Sequence, residues 1–436
     1  MRPTLFSLFL ALLPAMPLQA DTTLDLVYSG NLDGELEPCG CSLDTDYGGI
    51  QRRASYLDQQ REETPELVLL SSGGLFSPEM GSDQIRNRFI LTGLNQLNYD
   101  AIGIQWADLG HGADFLKQVE IPFVAANWRG GEFPPAQRFE RSGVAIYFTQ
   151  WLDPESSPYQ GSMAEISPIH QDTAALDAAL KSADDEGALT VLGTPLTAEA
   201  ARSSLPLEHV DILLVESAYE QFGEPREEQG TLILQPGSRG QRLGRLQLTL
   251  SEDGEVKTWN HSVVELPDSV PDAPRLDNWY AAYNDALRED YLERVALRKQ
   301  LASGESPYLG AAQCKTCHQA QHERWQASEH AKAFEDLEKV GKAFDSHCVG
   351  CHVVGYDKPG GYLDLSMSGH LTAVQCENCH GGAREHAQSG GQQPTPNKGQ
   401  PKEAICGQCH VKDHSPSFDV DIYWPKIAHP LAGAES

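Results

Sequence analysis

The chain has 436 residues, too many for one ordinary hydrophobic core, so two or three domains are expected. Its 33 Lys and Arg against 62 Asp and Glu give a formal net charge of −29, which excludes a general nucleic-acid-binding surface. Such an acidic coat favours solubility or basic partners.

Residues 1–20 read as a secretory signal peptide. Arg2 gives a short positive start, Leu5 to Leu13 is an apolar stretch broken only by Ser7, and a cleavage position follows Ala20. An apolar stretch this short argues against a retained membrane anchor, and no later segment is long and apolar enough to span a bilayer. The mature chain is expected to start near Asp21 and to work in the periplasm or outside the cell.

Residues 21–265 have the texture of an α/β layered domain. Leu24 to Tyr28, Leu67 to Leu70, Ala101 to Ile104 and Ile212 to Val215 are short apolar runs of the kind that form buried strands. A helical pattern over Asp172 to Ala183 lies between such runs and points to β-α-β units. The order of motifs resembles the calcineurin-like metallophosphatase domain of periplasmic 5′-nucleotidases. Gly30-Asn-Leu-Asp-Gly34, Gly48-Gly-Ile-Gln-Arg-Arg53, Leu69-Leu-Ser-Ser-Gly-Gly-Leu-Phe76, Tyr99-Asp-Ala-Ile102, Gln235-Pro-Gly-Ser-Arg-Gly240 and Gly244 to Leu248 carry the likeness. The resemblance implies a dinuclear metal site that activates water against a phosphoester. Its ligand positions have changed here. Asn31-Leu32-Asp33 stands where the family has Asp-x-His, and Gly73-Gly74 where it has Gly-Asp. Gln105 to Asp108 replaces Gly-Asn-His-Glu, and Leu192-Gly193 and Val215-Glu216-Ser217 lack the later histidines. A degenerate domain without phosphoesterase activity is expected, with a metal-dependent phosphoesterase kept as an alternative. Cys39-Gly40-Cys41 reads either as a local disulfide of an oxidising compartment or as a thiol pair for metal or redox work. His111 and His170 read as surface histidines.

Residues 266–305 join two parts. Pro267 to Pro274 is rich in Pro and Asp. Asn278 to Leu301 then reads as a helix, with Tyr280, Tyr283, Leu287, Tyr291 and Val295 three or four residues apart. That stripe is expected to pack on one of the two domains, a dimer contact being the alternative.

Residues 306–436 carry the chemistry. Eight of the ten cysteines fall in four identical patterns: Cys314-Lys-Thr-Cys317-His318, Cys348-Val-Gly-Cys351-His352, Cys376-Glu-Asn-Cys379-His380 and Cys406-Gly-Gln-Cys409-His410. In C-x-x-C-H, two thiols add across the haem vinyl groups and the adjoining histidine lies under the iron as its proximal ligand. Zinc could use paired C-x-x-C motifs, but nothing in zinc chemistry requires a histidine directly after the second cysteine four times. Four covalently bound haem c groups are therefore expected. Among the remaining histidines, His330, His386 and His429 lie clear of the nearest motif and can reach another haem. His322 and His414, each one helical turn past a motif histidine, more naturally flank their own haem.

From about Pro307 onward the chain resembles the tetrahaem cytochrome c-554 family of nitrifying bacteria. Tyr308 to Cys314, Glu329-His330-Ala-Lys-Ala-Phe334, Cys348 to Tyr356, Gly360-Gly-Tyr362 and Leu371 to Gly381 carry the likeness, including residues between the motifs. The resemblance implies a mostly helical fold with a core of stacked haems. It also implies His330 and His386 as distal ligands, a haem on His352 that can lack a strong sixth ligand, and His429 beside the fourth haem. The segment Tyr423 to His429 departs from the nitrifier form. The expected function is electron transfer between a redox protein donor and acceptor, with the N-terminal domain as scaffold or docking module and oligomers possible. A redox enzyme acting on a small nitrogen or sulfur species at an open-coordinated haem is the other alternative.

Overall fold

The computed structural model describes residues 21–39, 46–77, 82–130, 133–158, 161, 168–215, 223–251, 254–301, 304–411, 415 and 417–429. The stretch read as a signal peptide and Cys41 lie outside these residues, as do Glu216, Ser217 and His414. Of Cys39 the backbone alone is described.

Fourteen strands are described: β1 (Thr22–Ser29), β2 (Pro38–Cys39), β3 (Tyr47–Gly48), β4 (Val68–Ser71), β5 (Ala101–Gly103), β6 (Phe123–Val124), β7 (Ala136–Arg141), β8 (Val144–Gln150), β9 (Leu189–Gly193), β10 (Ile212–Leu214), β11 (Arg226–Glu228), β12 (Thr231–Leu234), β13 (Arg242–Leu250) and β14 (Val256–Glu265). Twelve of them form two six-stranded sheets, in the orders β14-β13-β1-β4-β5-β6 and β11-β12-β10-β9-β8-β7. In the first sheet β1, β4, β5 and β6 are parallel, and β13 and β14 close it antiparallel. The second has parallel β8, β9, β10 and β12 with antiparallel edges.

Side-chain alternation explains the layering. Along β1, Leu24, Leu26 and Tyr28 enter the core between the sheets, while Val27 points to the helices outside. Parallel strands buried on both faces read as continuous apolar runs, which is why Leu69-Leu70 and Leu213-Leu214 show no alternation. The helices Ile50–Glu63 and Ser82–Asn95 cover the first sheet. Ala174–Asp185, close to the expected helix, and Ala198–Ser204 cover the second. The result is the expected α/β layered fold, in four layers.

The loops at the ends of β4 and β5 are held by Asp108. Its carboxylate is fully buried and accepts backbone N–H groups from Gly74 at 2.9 Å, Leu75 at 2.6 Å and Gln105 at 2.9 Å. Asp108→Asn would turn an NH2 group against one of those donors. It is expected to destabilise the N-terminal part by about 2–3 kcal/mol, read as a lower urea midpoint. An unchanged midpoint would show that the loops do not depend on this carboxylate.

The helix Asp277–Leu301 buries Trp279, Tyr283, Leu287, Tyr291 and Val295, each four residues after the last. Trp279 donates to Phe89 O at 3.2 Å and packs where a Cβ on Gly93 would come within 2.5 Å of its ring, so only glycine fits there. Further along, Tyr291 donates to Leu363 O at 3.1 Å and Arg298 pairs with Asp357 at 3.0 Å. The helix therefore packs against both parts of the chain, where one alone was expected. The stripe is too long for a single neighbour: its first half meets the sheet domain and Lys342, its second the motif-bearing part.

After residue 304 the described helices are at most eight residues long. One apolar cluster serves this part among the described residues: Phe334, Leu337, Val349, Val353, Val354, Tyr362 and Leu371. No described helix is long and apolar enough to cross a membrane.

Candidate haem-binding centres

Three pairs of histidines face one another. The ring centres of His318 and His386 are 6.0 Å apart, those of His410 and His330 6.1 Å, and those of His380 and His429 5.8 Å. A metal ion with an imidazole nitrogen about 2 Å away on each side, each nitrogen about 1.1 Å from its ring centre, would separate the centres by about 6.2 Å. Each pair joins one C-x-x-C-H histidine to one of the three expected distal histidines. His429, expected beside the fourth motif, instead faces His380 of the third, and His330 takes the place opposite His410. Spacing along the chain carries no such partner information, because the helices between motifs are short and turn freely.

In three of the expected ligand histidines the other ring nitrogen has a partner. His386 Nδ1 lies 2.7 Å from Gln393 O, His352 Nδ1 2.5 Å from Ala333 O and His410 Nδ1 3.2 Å from Ser415 Oγ. Donation from Nδ1 leaves Nε2 with its lone pair free to bind a metal and fixes the ring's orientation. Burial, helped by neighbouring histidines at the first two, lowers the pKa of His330, His380 and His410 and keeps them in the neutral, metal-binding form. No second imidazole among the described residues faces His352 as in the three pairs. His322 is buried against Trp325, with ring centres 5.2 Å apart, one turn past His318.

The cysteines meet across motifs. The Cys314 and Cys376 thiols are within hydrogen-bonding reach of each other, as are those of Cys351 and Cys409. Cys379 lies close enough to Cys406 and Cys376 to feel their charge. The attachment sites therefore follow one another in space as first, third, fourth, second. Among the described residues no three His, Cys, Asp or Glu side chains gather as ligands of one ion. A zinc site needs at least three such protein ligands, whereas a haem iron takes only two. The ligand set fits haem.

Residues inside the third motif hold the sites together. Buried Glu377 accepts N–H groups from Leu309 at 2.9 Å, Gly310 at 2.8 Å and Ala383 at 2.9 Å. Asn378 donates to Val353 O at 2.8 Å, beside the second motif. Gln375, just before the motif, accepts from Ala311 N near the first and donates to Thr372 O. These roles were not foreseen. Their only trace in the sequence is polar residues at motif positions that haem attachment leaves unspecified.

Among the described residues, the N-terminal crevice at the ends of β1, β4 and β5 does not fit a dinuclear metal site. Asn31 Oδ1 accepts from Gln105 Nε2 at 3.1 Å, and Gln105 and Gln150 both donate to Ser72 O. Gln150 fills the space that Cβ atoms on Gly103 or Gly193 would occupy. Asp33 is taken by the Arg239 N–H at 3.1 Å, and Arg239 pairs with Glu35 at 3.0 Å. Neutral amides and a buried arginine stand where two cations would need carboxylates and imidazoles. Nor are His111 and His170 plain surface residues. His111 Nε2 lies 2.8 Å from Asn87 Nδ2, and His170 has a buried ring nitrogen. Both support loops.

A helical module with repeated C-x-x-C-H motifs and facing imidazole pairs, carried behind a four-layer sheet domain, is similar to c-type cytochromes joined to a metallophosphatase-like fold. Residues 313–381 match the family model for cytochrome c554 and c-prime, a family that implies covalently bound haem c. The chain is 34% identical over 143 residues to cytochrome c-554 of Nitrosomonas europaea, which covers 26% of this chain and 61% of that protein. It is 25% identical over 116 residues to snake venom 5′-nucleotidase of Naja atra, covering 24% of this chain and 22% of that one. The chain thus spans about three-fifths of the first relative and about a fifth of the second. Among solved structures, a 5′-nucleotidase precursor from Thermus thermophilus superposes with a TM-score of 0.52 at 18% identity, over 80% of this chain and 73% of that one. Sulfate thiohydrolase SoxB from Thermus thermophilus gives 0.51 at 15% identity, over 62% and 61%. At these identities the two structures establish the fold of the N-terminal part and nothing about its activity.

Proposed function

We propose that the chain is an exported tetrahaem c-type cytochrome, periplasmic or extracellular, that carries electrons between redox protein partners. The observation that carries this reading is the set of three facing imidazole pairs, each built on a C-x-x-C-H histidine and each near 6 Å. Cys314 and Cys317, Cys348 and Cys351, Cys376 and Cys379, and Cys406 and Cys409 would form the thioether bonds. His318, His352, His380 and His410 would be proximal ligands, with His386, His429 and His330 opposite the first, third and fourth. Haem c supplies a one-electron Fe(III)/Fe(II) couple when bound. The chain's own part is to fix the ligands, hold the attachment sites next to one another and exclude water. The N-terminal part serves as scaffold or docking module, since the described residues of its crevice offer amides and an arginine in place of metal ligands.

Coulometric titration of the purified protein, beside a pyridine haemochrome assay, tests this. Four haems and four electrons per chain are expected; two or fewer of either would sink the assignment. A second reading, reduction or oxidation of a small nitrogen or sulfur species at the His352 centre, is favoured by the absence of a facing imidazole there among the described residues.

A further inference from the structure

The contacts between the two parts of the chain concentrate just ahead of the second attachment site. Lys342 Nζ lies 2.6 Å from Glu37 Oε1 and donates to Asn284 Oδ1 at 2.6 Å. It also sits 5.3 Å and 5.2 Å from the ring centres of Tyr280 and Tyr283, and its side chain is only 10% exposed. Tyr280 donates to the same Glu37 oxygen. Five residues on, His347 Nε2 lies 2.7 Å from Asp83 Oδ1, on a carboxylate 4% exposed that also accepts from Ser77 Oγ at 2.6 Å. Arg86 stands 3.9 Å from Asp83 and lies near Tyr283. Glu37, Asp83 and Arg86 come from the N-terminal part, and His347 directly precedes Cys348. By contrast, Lys402–Asp421, beside the fourth motif, and Arg384–Glu305, near the third, do not involve the sheet domain.

We propose that the N-terminal domain is the charge partner of the centre attached through Cys348 and Cys351, and that the Glu37–Lys342 and Asp83–His347 contacts set that centre's reduction potential. The proposal rests on the reading that a haem is bound there. Charges taken out of water act through a medium of low effective dielectric and are weakly screened by salt, so they reach a neighbouring iron. A haem potential follows the net charge and burial around it. The Cys348 thiol already registers these groups. Burial pushes it up to about 12, and after Asp345 the charges it feels are Glu37, Lys342 and Arg86. A degenerate hydrolase domain thereby has a use in an electron carrier without chemistry of its own. It tunes the centre that, among the described residues, lacks a facing imidazole.

The test is spectroelectrochemical titration of the full haem-loaded chain carrying Glu37→Gln or Lys342→Gln, with a haem count taken first. Glu37→Gln removes a negative charge and leaves Lys342 unpaired, so it should favour the reduced form. Lys342→Gln should favour the oxidised form. Each is expected to change the reduction equilibrium of one centre about tenfold, or about 59 mV for one electron, and the other three less than twofold. The double variant should return close to the parent. Asp83→Asn should act in the same direction as Glu37→Gln, so failure of one variant to fold still leaves a test. A loosened joint would move both single variants the same way, or move all four centres together. Either result overturns the proposal, as would no shift in variants holding four haems. A parent chain without haem at Cys348 overturns the underlying reading and is seen in the haem count instead.

Discussion

Replacing Cys376 and Cys379 together by alanine is expected to cost more than one haem and to unfold most of the chain after Pro307, while the sheet domain survives. The third attachment site is central. Its cysteines lie near those of the first and fourth, and Glu377 and Asn378 between them tie down Leu309, Gly310, Ala383 and Val353. Seven buried apolar side chains form the only apolar cluster in this part among the described residues. Ordering a backbone costs about 1–2 kcal/mol per residue, and seven side chains at about 2 kcal/mol each cannot offset that for more than a hundred residues. On the proposed reading, covalently held macrocycles would supply the missing apolar core. The four-layer domain has three apolar clusters of its own and needs no such help. Intact mass would give the haem number, and limited proteolysis should leave a resistant fragment ending near the helix Asp277–Leu301. A three-haem protein with the parent's protease resistance would show that the third site is not the keystone.

What the sequence made legible follows from the range of each interaction. The C-x-x-C-H pattern is local, five residues long, and its four repeats are readable without a structure. Strands such as β1 and β4 are readable because burial on one or both faces writes itself into the residue pattern. Partner assignment is not local. His330 lies twelve residues past His318 yet faces His410, eighty residues on, and His429 faces the third motif rather than the fourth. The bridging helix shows the same limit. Its apolar stripe announces burial but does not say against what, and it packs against both parts of the chain. Glu377 was hidden for a different reason. In a helix of five residues a buried carboxylate looks like any exposed one until its distant backbone donors, Leu309 and Gly310, are in place.

His386→Ala should give the protein a second centre open to exogenous ligands. In the parent, three centres have an imidazole on each side and only His352 stands without one among the described residues, so one high-spin signal beside three low-spin ones is expected in electron paramagnetic resonance. Two imidazoles give a strong field and leave no position for cyanide; one imidazole leaves the sixth position to water or to an added anion. The parent should therefore bind about one cyanide per chain. His386 reaches His318 from the short helix Arg384–Gln388, and its Nδ1 is steadied by Gln393 O. Truncation removes a ligand without touching the thioether cysteines, so haem content should stay at four while cyanide binding rises to about two and the low-spin signal falls by a third. His330→Ala should do the same at the His410 centre. If His386→Ala leaves cyanide stoichiometry and spin state as in the parent, the 6.0 Å approach of His318 and His386 is ring packing rather than ligation. The other two pairs, at 6.1 Å and 5.8 Å, would then lose the same inference, because it rests on one geometric argument for all three.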